Sequence, residues 1–144
     1  MMTVIEILEK ILADSYGLYF KTQNYHWNVT GTEFRSLHLL FESQYTELAE
    51  AIDEIAERIR TLGPKVGPLS KIIRLASITE ADCNLDSASM LADLAKGQDN
   101  MVASLYNGLK ISEQAGDEGT SDMIIQRIKV HEKNKWMLVS SLKN

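Results

Sequence analysis

The stretch NYHWNVTGTEFRSLHLLFE, residues 24–42, places two of the chain's three histidines on either side of a turn signal. The segment Thr30-Gly31-Thr32 combines the residues that end one helix and supply the N-cap of the next. Apolar residues at helical spacing flank it on both sides. The pattern predicts two helices folded back at Gly31, which would bring His26 close to residues 36–38.

The helices that leave this turn are long. The first is predicted from Thr3 to about Val29, because Thr3 and Glu6 form a capping-box pattern ahead of an apolar stripe. The second extends to Leu62 with a nearly unbroken alternation of three and four residues. Its predicted core face is Phe34, Leu37, Phe41, Tyr45, Leu48, Ile52, Ile55, Ile59 and Leu62.

A break follows the second helix, because both prolines fall in TLGPKVGPLS. Two more helices are predicted beyond it, from about Asp86 to Ala115 and from about Thr120 to Leu142, separated by AGDEGT. The connection of about twenty residues after the second helix is long enough to cross a bundle, with a short helix at SKIIRLAS. The fold class is therefore all-α, a four-helix bundle formed by residues 1–144 as a single domain.

Composition excludes several classes of protein. A formal net charge of −5 and a pI of about 5.2 argue against nucleic-acid binding, which needs clustered Lys and Arg. The single cysteine, Cys83, excludes an intrachain disulfide and a Cys-rich zinc site. The N-terminal segment has acids within its apolar pattern and no basic leader, so neither a signal peptide nor a membrane span is expected. A soluble, cytoplasmic protein fits these features.

Four metal-competent side chains lie beside the apolar face of the second helix. His38 with Glu42 and Asp53 with Glu57 are i, i+4 pairs on one face of the helix. Each pair resembles half of a site for a divalent cation. The eleven residues between Glu42 and Asp53 correspond to about 16 Å along the helix axis. One helix therefore cannot bring both pairs to one metal ion.

A second copy of the helix can join the two pairs. If two copies pack antiparallel about a twofold axis near residues 47 and 48, His38 and Glu42 of one subunit face Asp53 and Glu57 of the other. The hairpin adds His26 to the first wall. The result is a set of two histidines and three carboxylates suited to iron, present twice in each dimer.

The same residues allow a plainer interpretation. His26 would be a packed or capping histidine, His38 a surface residue, and the carboxylates a solvated helix face. A metal site inside one bundle is not supported, because such sites use Glu-x-x-His pairs. The residues three before the histidines are instead Gln23, Arg35 and Ile128. Any metal site should thus lie between subunits.

The sequence HWNVTGTEFRSLHLLFE followed by AIDEIAER resembles the signature of the Dps family, the mini-ferritins named for DNA-binding protein from starved cells. The spacing His-x11-His-x3-Glu-x10-Asp-x3-Glu runs through His26, His38, Glu42, Asp53 and Glu57. The resemblance extends to the C-terminal HEKNKWML, the long crossover with its short helix, and the total length. It implies a ferritin-like four-helix bundle over essentially the whole chain.

The resemblance also implies a function. Members form a hollow dodecameric shell whose sites at twofold interfaces oxidise Fe(II), typically with hydrogen peroxide, and store ferric mineral inside. By position, Asp53, Glu57 and His26 would hold the tighter iron, and His38 and Glu42 a weaker second position, through water. Glu42 departs from the aspartate more usual in the family, and its extra methylene could pull the second metal closer or crowd it.

The identity of the metal stays open at this point. Zinc could occupy the same ligands without turnover, because imidazole and carboxylate discriminate weakly between zinc and iron. Hydrogen peroxide and oxygen are both candidate oxidants. The third histidine, His131, lies in the middle of the fourth helix without a partner motif, and we expect it to be structural.

Two further groups of residues resemble functional positions of the family. Trp27 and Trp136 resemble aromatics near the site, where Trp27 would shield or quench radical intermediates; packing at a subunit interface is the alternative. Asp117, Glu118 and Asp122 resemble positions that line threefold iron-entry pores. The alternative is that these acids complement the dipole of the fourth helix.

DNA binding is not expected despite the family name. Members that bind DNA generally use a Lys/Arg-rich terminal tail, whereas here the first helix is predicted to start by Val4 and the first basic residue is Lys10. The C-terminal SSLKN offers one lysine. Twelve chains of formal charge −5 would give a shell of about −60, which repels phosphate.

Overall fold

Four long helices and one short helix make up the part of the chain that the computed structural model describes, residues 2–142. Lys143 of the C-terminal SSLKN lies outside those residues. None of the helices in the described part is both long and apolar enough to span a membrane. The helices are α1 (Val4–Asn28), α2 (Phe34–Thr61), α3 (Leu69–Leu75), α4 (Ser87–Gln114) and α5 (Glu118–Leu142).

The contacts between the long helices define the topology. α1 packs against α2 and α4, and α4 packs against α5. Arg58 near the end of α2 contacts Asp117 just before α5, while Gln44 nearer the start of α2 contacts Asn134 far along α5, so these helices are antiparallel. Since each hairpin is antiparallel as well, α2 and α4 run in the same direction. The crossover of residues 62–86, which contains α3, must therefore traverse the bundle, as predicted.

The core follows the predicted apolar stripes with two exceptions on α2. Phe34 and Leu62, at its two ends, are exposed rather than buried, at 43% and 37%. They are the first and last residues of the predicted stripe, and Tyr45 within it is half-buried. The stripes of the other helices supply the buried Leu18, Tyr25, Leu94, Met101, Ile124, Ile128 and Leu138, among others.

Capping explains where most of the helices begin. Thr3 accepts a hydrogen bond from the Glu6 amide at 3.1 Å, and Asp86 accepts one from the Ser89 amide at 2.8 Å. The prediction that Thr30-Gly31-Thr32 supplies the cap of α2 was wrong. Gly31, at φ 114°, forms a turn closed by a hydrogen bond from the Phe34 amide, so the N-cap falls on Glu33 without a side-chain cap.

The start of α5 also differs from the predicted position. The helix begins at Glu118, two residues before the expected Thr120. The Asp117 carboxylate accepts hydrogen bonds from the Thr120 amide at 3.1 Å and from its hydroxyl at 2.6 Å. This local cap draws the glycine and acid of AGDEGT into the first turn.

Hydrogen bonds and an ion pair fasten α1 to the crossover and to α4. The buried carboxylate of Asp14 accepts hydrogen bonds from the Ser77 amide at 2.6 Å and the Ser104 hydroxyl at 3.2 Å. The ammonium of Lys21, 2% exposed, lies 2.8 Å from the Asp93 carboxylate on α4. These contacts fix α1 relative to the crossover and to α4. α1, which carries His26, is therefore held by polar contacts at Asp14 and Lys21.

Candidate metal centre

The α1–α2 hairpin brings His26 and His38 into direct contact. His26 lies in the last turn of α1 and His38 in the second turn of α2. Their imidazole rings stack with centroids 3.8 Å apart and planes 13° apart. Each Nδ1 lies 2.7 Å from the backbone carbonyl oxygen of the other histidine. Two reciprocal hydrogen bonds therefore close the hairpin.

These hydrogen bonds determine which ring nitrogen can bind a metal. A carbonyl oxygen can only accept, so both Nδ1 atoms must carry the proton and donate it. In the neutral ring the lone pair then lies on Nε2. Neither Nε2 has a hydrogen-bond partner among residues 2–142. A backbone carbonyl that holds the second nitrogen is the usual support for a metal-binding histidine.

The carboxylate one turn along α2 lies at the surface. Glu42 is exposed, His38 is half-buried, and His26 is 6% exposed. Solvent exposure thus increases from His26 through His38 to Glu42. A metal bound here would be open to ligands from outside the chain.

The other pair of metal-competent side chains on α2 consists of two carboxylates. Asp53 and Glu57 are exposed on α2, one turn apart. A hydrogen bond between the two carboxyl groups and the nearby charge of Asp53 raise the pKa of Glu57 above its ordinary value. Neither carboxylate forms an ion pair among residues 2–142, and two adjacent carboxylates are suited to binding a cation.

The two halves of this constellation do not meet within one chain. Among the residues that the structure describes, no group of three or more His, Cys, Asp or Glu side chains is arranged to hold a metal ion. His26 and His38 are brought together, whereas Asp53 lies fifteen residues beyond His38, about 22 Å further along α2, and Glu57 one turn beyond that. A metal centre built from all five residues requires a second chain.

Phe34 and Tyr45, which the sequence pattern predicts as core residues, contact the two histidines. Phe34 stacks on His38 with centroids 5.0 Å apart and planes 26° apart. Tyr45 presents an edge contact to His26 at 5.2 Å and 69°. Their positions four residues before and seven residues after His38 on the same helix are the signal that could have revealed these contacts.

The remaining histidine is structural, as expected. His131 is 1% exposed, its Nδ1 lies 2.7 Å from the Gln98 side-chain oxygen, and its Nε2 lies 3.0 Å from the Arg127 guanidinium. Burial and the Arg127 charge lower the pKa of His131 to about 3. A neutral ring with both nitrogens engaged is not available as a metal ligand.

The acids at the α4–α5 junction have different local roles. Asp117 caps α5 and forms an ion pair with Arg58 at 2.8 Å; although partial burial opposes it, these contacts hold the pKa of Asp117 below its usual value. Glu118 and Asp122 are exposed and line an open depression of about 360 Å³ together with Glu113. The local explanation therefore accounts for Asp117. A pore role for the other acids stays a prediction.

The two tryptophans lie at the surface. Trp27 is 55% exposed and contacts Phe20 edge to face at 6.3 Å, and Trp136 on α5 is 64% exposed. Both positions are compatible with packing at a subunit interface. The role of Trp27 toward radicals stays a prediction.

A four-helix bundle with one long crossover and a short helix within it is the ferritin-like architecture. The family model of the ferritin-like domain matches residues 5–144. The chain is 40% identical over 136 residues to "DNA protection during starvation protein 2" of Bacillus anthracis, which covers 94% of this chain and 93% of that protein.

Solved structures agree with this assignment. Dps from Staphylococcus aureus matches with a TM-score of 0.93 at 33% identity, covering 98% of this chain and 95% of that chain. Dps from Vibrio cholerae O1, described as a member of a broad superfamily of ferritin-like diiron-carboxylate proteins, matches with a TM-score of 0.91 at 37% identity over 97% and 89% of the two chains. This chain belongs to the Dps branch of the ferritin-like family. At the level of the family, that membership supports iron storage and protection under stress.

Proposed function

We propose that the protein is a ferroxidase and iron store. Two subunits pair α2 against α2 about a twofold axis, and each pair forms two sites that oxidise Fe(II). The full assembly is a hollow dodecamer that holds the ferric mineral. Hydrogen peroxide is the proposed oxidant, with oxygen as the alternative.

The reciprocal histidine pair is the single observation that supports this proposal most strongly. A surface or capping histidine has no need for a fixed tautomer, whereas His26 and His38 both hold Nδ1 protonated and Nε2 open. Among the described residues these histidines and Glu42 are not part of a group arranged to hold a metal ion, so the proposed site needs ligands from another chain. Asp53 and Glu57 of a symmetry-related α2 would supply them.

The proposed ligands divide between two iron positions. Asp53 and Glu57 of one subunit and His26 of the other would bind the tighter iron through two carboxylate oxygens and one imidazole nitrogen. His38 and Glu42 would support the second iron, with Glu42 bridging the distance through its longer side chain or through water. With two iron ions in one site, two electrons can pass to one molecule of oxidant.

The electron balance explains why a paired site protects the cell. Hydrogen peroxide accepts two electrons when its oxygen–oxygen bond breaks, and with two protons it yields two molecules of water. Two Fe(II) ions, each losing one electron, supply both electrons together. A single Fe(II) would supply only one and release a hydroxyl radical. Paired oxidation therefore removes iron and peroxide without that radical.

Stopped-flow absorbance tests this function. Purified shell, stripped of metal and then mixed with Fe(II) and peroxide, should develop ferric absorbance with about two Fe(II) consumed per peroxide. Oxygen replaces peroxide in a parallel run. A particle that fails to accelerate ferric formation over buffer with either oxidant contradicts the proposal.

Zinc binding without turnover is the competing function, since the ligand set suits both metals. Zinc should compete with Fe(II) for the same positions and inhibit oxidation in the proposed ferroxidase. Tight zinc binding with no iron oxidation would favour a zinc-binding protein instead.

We also propose that the protein is cytoplasmic. Its single cysteine, Cys83, is exposed and has no second cysteine with which to form an intrachain disulfide, which fits a reducing compartment.

A further inference from the structure

Phe34, His38, His26 and Tyr45 form one continuous row of rings, joined by two stacked contacts and one edge contact. Phe34 covers the face of His38, His38 stacks on His26, and the ring of Tyr45 meets His26 edge-on. Tyr45 in turn contacts Tyr19 edge to face at 5.7 Å. The two imidazoles thus lie between aromatic rings at both ends.

Hydrogen bonds alone do not fix the direction of the metal-binding nitrogens. The bond from Nδ1 to a carbonyl oxygen restrains one atom of each ring only within the range that hydrogen-bond geometry allows, so small rotations about the Cα–Cβ and Cβ–Cγ bonds still move Nε2. A stacked neighbour fixes the plane of the ring as well. The direction of Nε2 is determined only when both constraints act together.

The hairpin offers little other restraint at this place. α2 begins without a side-chain cap, and His38 is only half-buried in its second turn. Phe34 is 43% exposed and so contributes little to the core, yet its ring lies against His38. The hydroxyl of Tyr45 makes no hydrogen bond within residues 2–142, so its ring is the part that acts.

We infer that Phe34 and Tyr45 are positioning residues for the metal centre. They touch neither metal nor oxidant; they hold the planes of His38 and His26 so that both Nε2 atoms face the partner's carboxylates. The inference rests on the proposed function, because it assigns these rings a role in that same site. It predicts that the ring matters at both positions and the phenol does not.

The test compares ring-removing with ring-keeping substitutions in the assembled shell. Phe34→Leu and Tyr45→Leu remove the aromatic faces and keep apolar bulk, while Phe34→Tyr and Tyr45→Phe keep the rings. Tyr106→Leu is the matched control, because Tyr106 is an exposed aromatic on α4, at 52%, away from the hairpin. Size-exclusion chromatography with light scattering confirms that each variant assembles.

The first measurement reads the histidine tautomers without any metal. Solid-state NMR of sedimented shell labelled with ¹⁵N-histidine resolves three imidazoles per chain, and the buried His131 serves as an internal reference. We expect a single tautomer protonated at Nδ1 for His26 and His38 in the wild type, the ring-keeping variants and Tyr106→Leu. Phe34→Leu should keep this tautomer but broaden the His38 signals, and Tyr45→Leu those of His26, because the planes of the rings then vary while the carbonyl acceptors remain.

The second measurement is the affinity for Co(II), added alone and followed by its visible spectrum. The two leucine variants should bind Co(II) about tenfold or more weakly, as removal of groups that support a ligand typically does. The ring-keeping variants should match the wild type. Leucine variants that assemble, keep narrow His26 and His38 signals and bind Co(II) normally would overturn the inference. A wild-type shell that binds no Co(II) would instead contradict the metal site itself.

Discussion

Histidine occupies two kinds of environment in this chain, and hydrogen bonding separates them. His26 and His38 each donate Nδ1–H to a carbonyl, and their Nε2 atoms have no hydrogen-bond partner among the described residues. His131 has both nitrogens engaged by Gln98 and Arg127 in the interior. The first arrangement suits metal binding and the second suits packing.

The site assignment makes a direct prediction for single substitutions. His38→Ala and Asp53→Ala should each slow Fe(II) oxidation by at least about tenfold, because each removes one ligand from the centre. Both side chains lie outside the core, so the shell should still assemble. Stopped-flow absorbance after adding Fe(II) and peroxide measures the rate.

The matched control for this experiment is Glu54→Ala. Glu54 is an exposed carboxylate next to Asp53, but adjacent residues of a helix point about 100° apart. The Glu54→Ala variant should therefore oxidise iron at the wild-type rate. Normal rates in both His38→Ala and Asp53→Ala would show that the ligands are wrongly assigned.

The buried His131 should make the fold sensitive to acid. Its pKa lies near 3 in the folded chain and near the ordinary 6.5 in the unfolded chain, so below pH 6.5 the unfolded state binds a proton that the folded state does not. The free energy of unfolding should therefore fall as pH decreases from 6.5 toward 3. One proton corresponds to about 1.4 kcal/mol per pH unit.

His131→Gln tests this effect, since glutamine retains a donor for Gln98 and an acceptor for Arg127 without titrating. Guanidinium unfolding between pH 4 and 7 should show a shallower loss of stability in the variant. Parallel curves for the wild type and the variant would mean that another group controls the acid sensitivity.

Spacing predicted the candidate ligands but not the contacts that orient them. The i, i+4 pairs placed His38, Glu42, Asp53 and Glu57 on one face of a helix. The reciprocal Nδ1 bonds depend on how closely the two helices approach after the Gly31 turn, which a linear pattern does not encode. For the same reason Phe34 was expected in the core although its ring lies on His38.

At the scale of helices, close packing explains a glycine that helix propensity alone disfavours. Gly108 lies in the middle of α4, where a Cβ atom would stand 2.9 Å from Ile11 Cδ1 and 3.2 Å from Ile124 Cδ1. α1 and α5 both approach α4 at this point. The missing side chain therefore allows three helices to pack together.

Gly108→Ala should destabilise the subunit despite the better helix propensity of alanine. Alanine contributes up to about 1 kcal/mol to helix formation, whereas overpacking a core costs about 1 to 3 kcal/mol. The net change should be a loss, measured by guanidinium unfolding. Gly97→Ala is the control, because its Cβ would meet only the flexible end of Leu18 at 3.0 Å, and it should cost less. A Gly108→Ala variant more stable than the wild type would contradict this account of the packing.

Helix boundaries could be predicted where a side chain acts as the cap. Thr3 caps its helix as the sequence pattern predicts, and Asp86, predicted only as the approximate start of α4, is found to cap it. The start of α2 was missed because a backbone turn at Gly31 replaces the side-chain cap. The start of α5 was missed because Asp117, rather than a later residue, is the capping residue.

At the scale of the whole molecule, charge governs the interaction with nucleic acid. The sequence as a whole is acidic, with a formal net charge of −5 per chain. The proposed shell should therefore not retard plasmid DNA in a gel at low salt and neutral pH without added divalent metal. Retardation by the intact shell under these conditions would contradict the prediction.

A single chain gives only indirect evidence of subunit association. The eleven-residue gap between Glu42 and Asp53 predicts a partner, because a rigid helix cannot fold back on itself. The size of the assembly does not follow from this gap, since many arrangements contain a twofold axis. The dodecamer is therefore proposed from family membership, and light scattering of the purified particle measures it.

Complementation between two inactive variants tests the shared site most directly. One variant carries His26→Ala and His38→Ala, and the other carries Asp53→Ala and Glu57→Ala. Each pure shell should be nearly inactive. Co-expressed in equal amounts, the two chains should form mixed shells in which about a quarter of the sites have both walls intact, so Fe(II) oxidation should return to about a quarter of the wild-type rate. Mixed shells, verified by mass spectrometry, that stay as inactive as the pure variants would contradict a site shared between subunits.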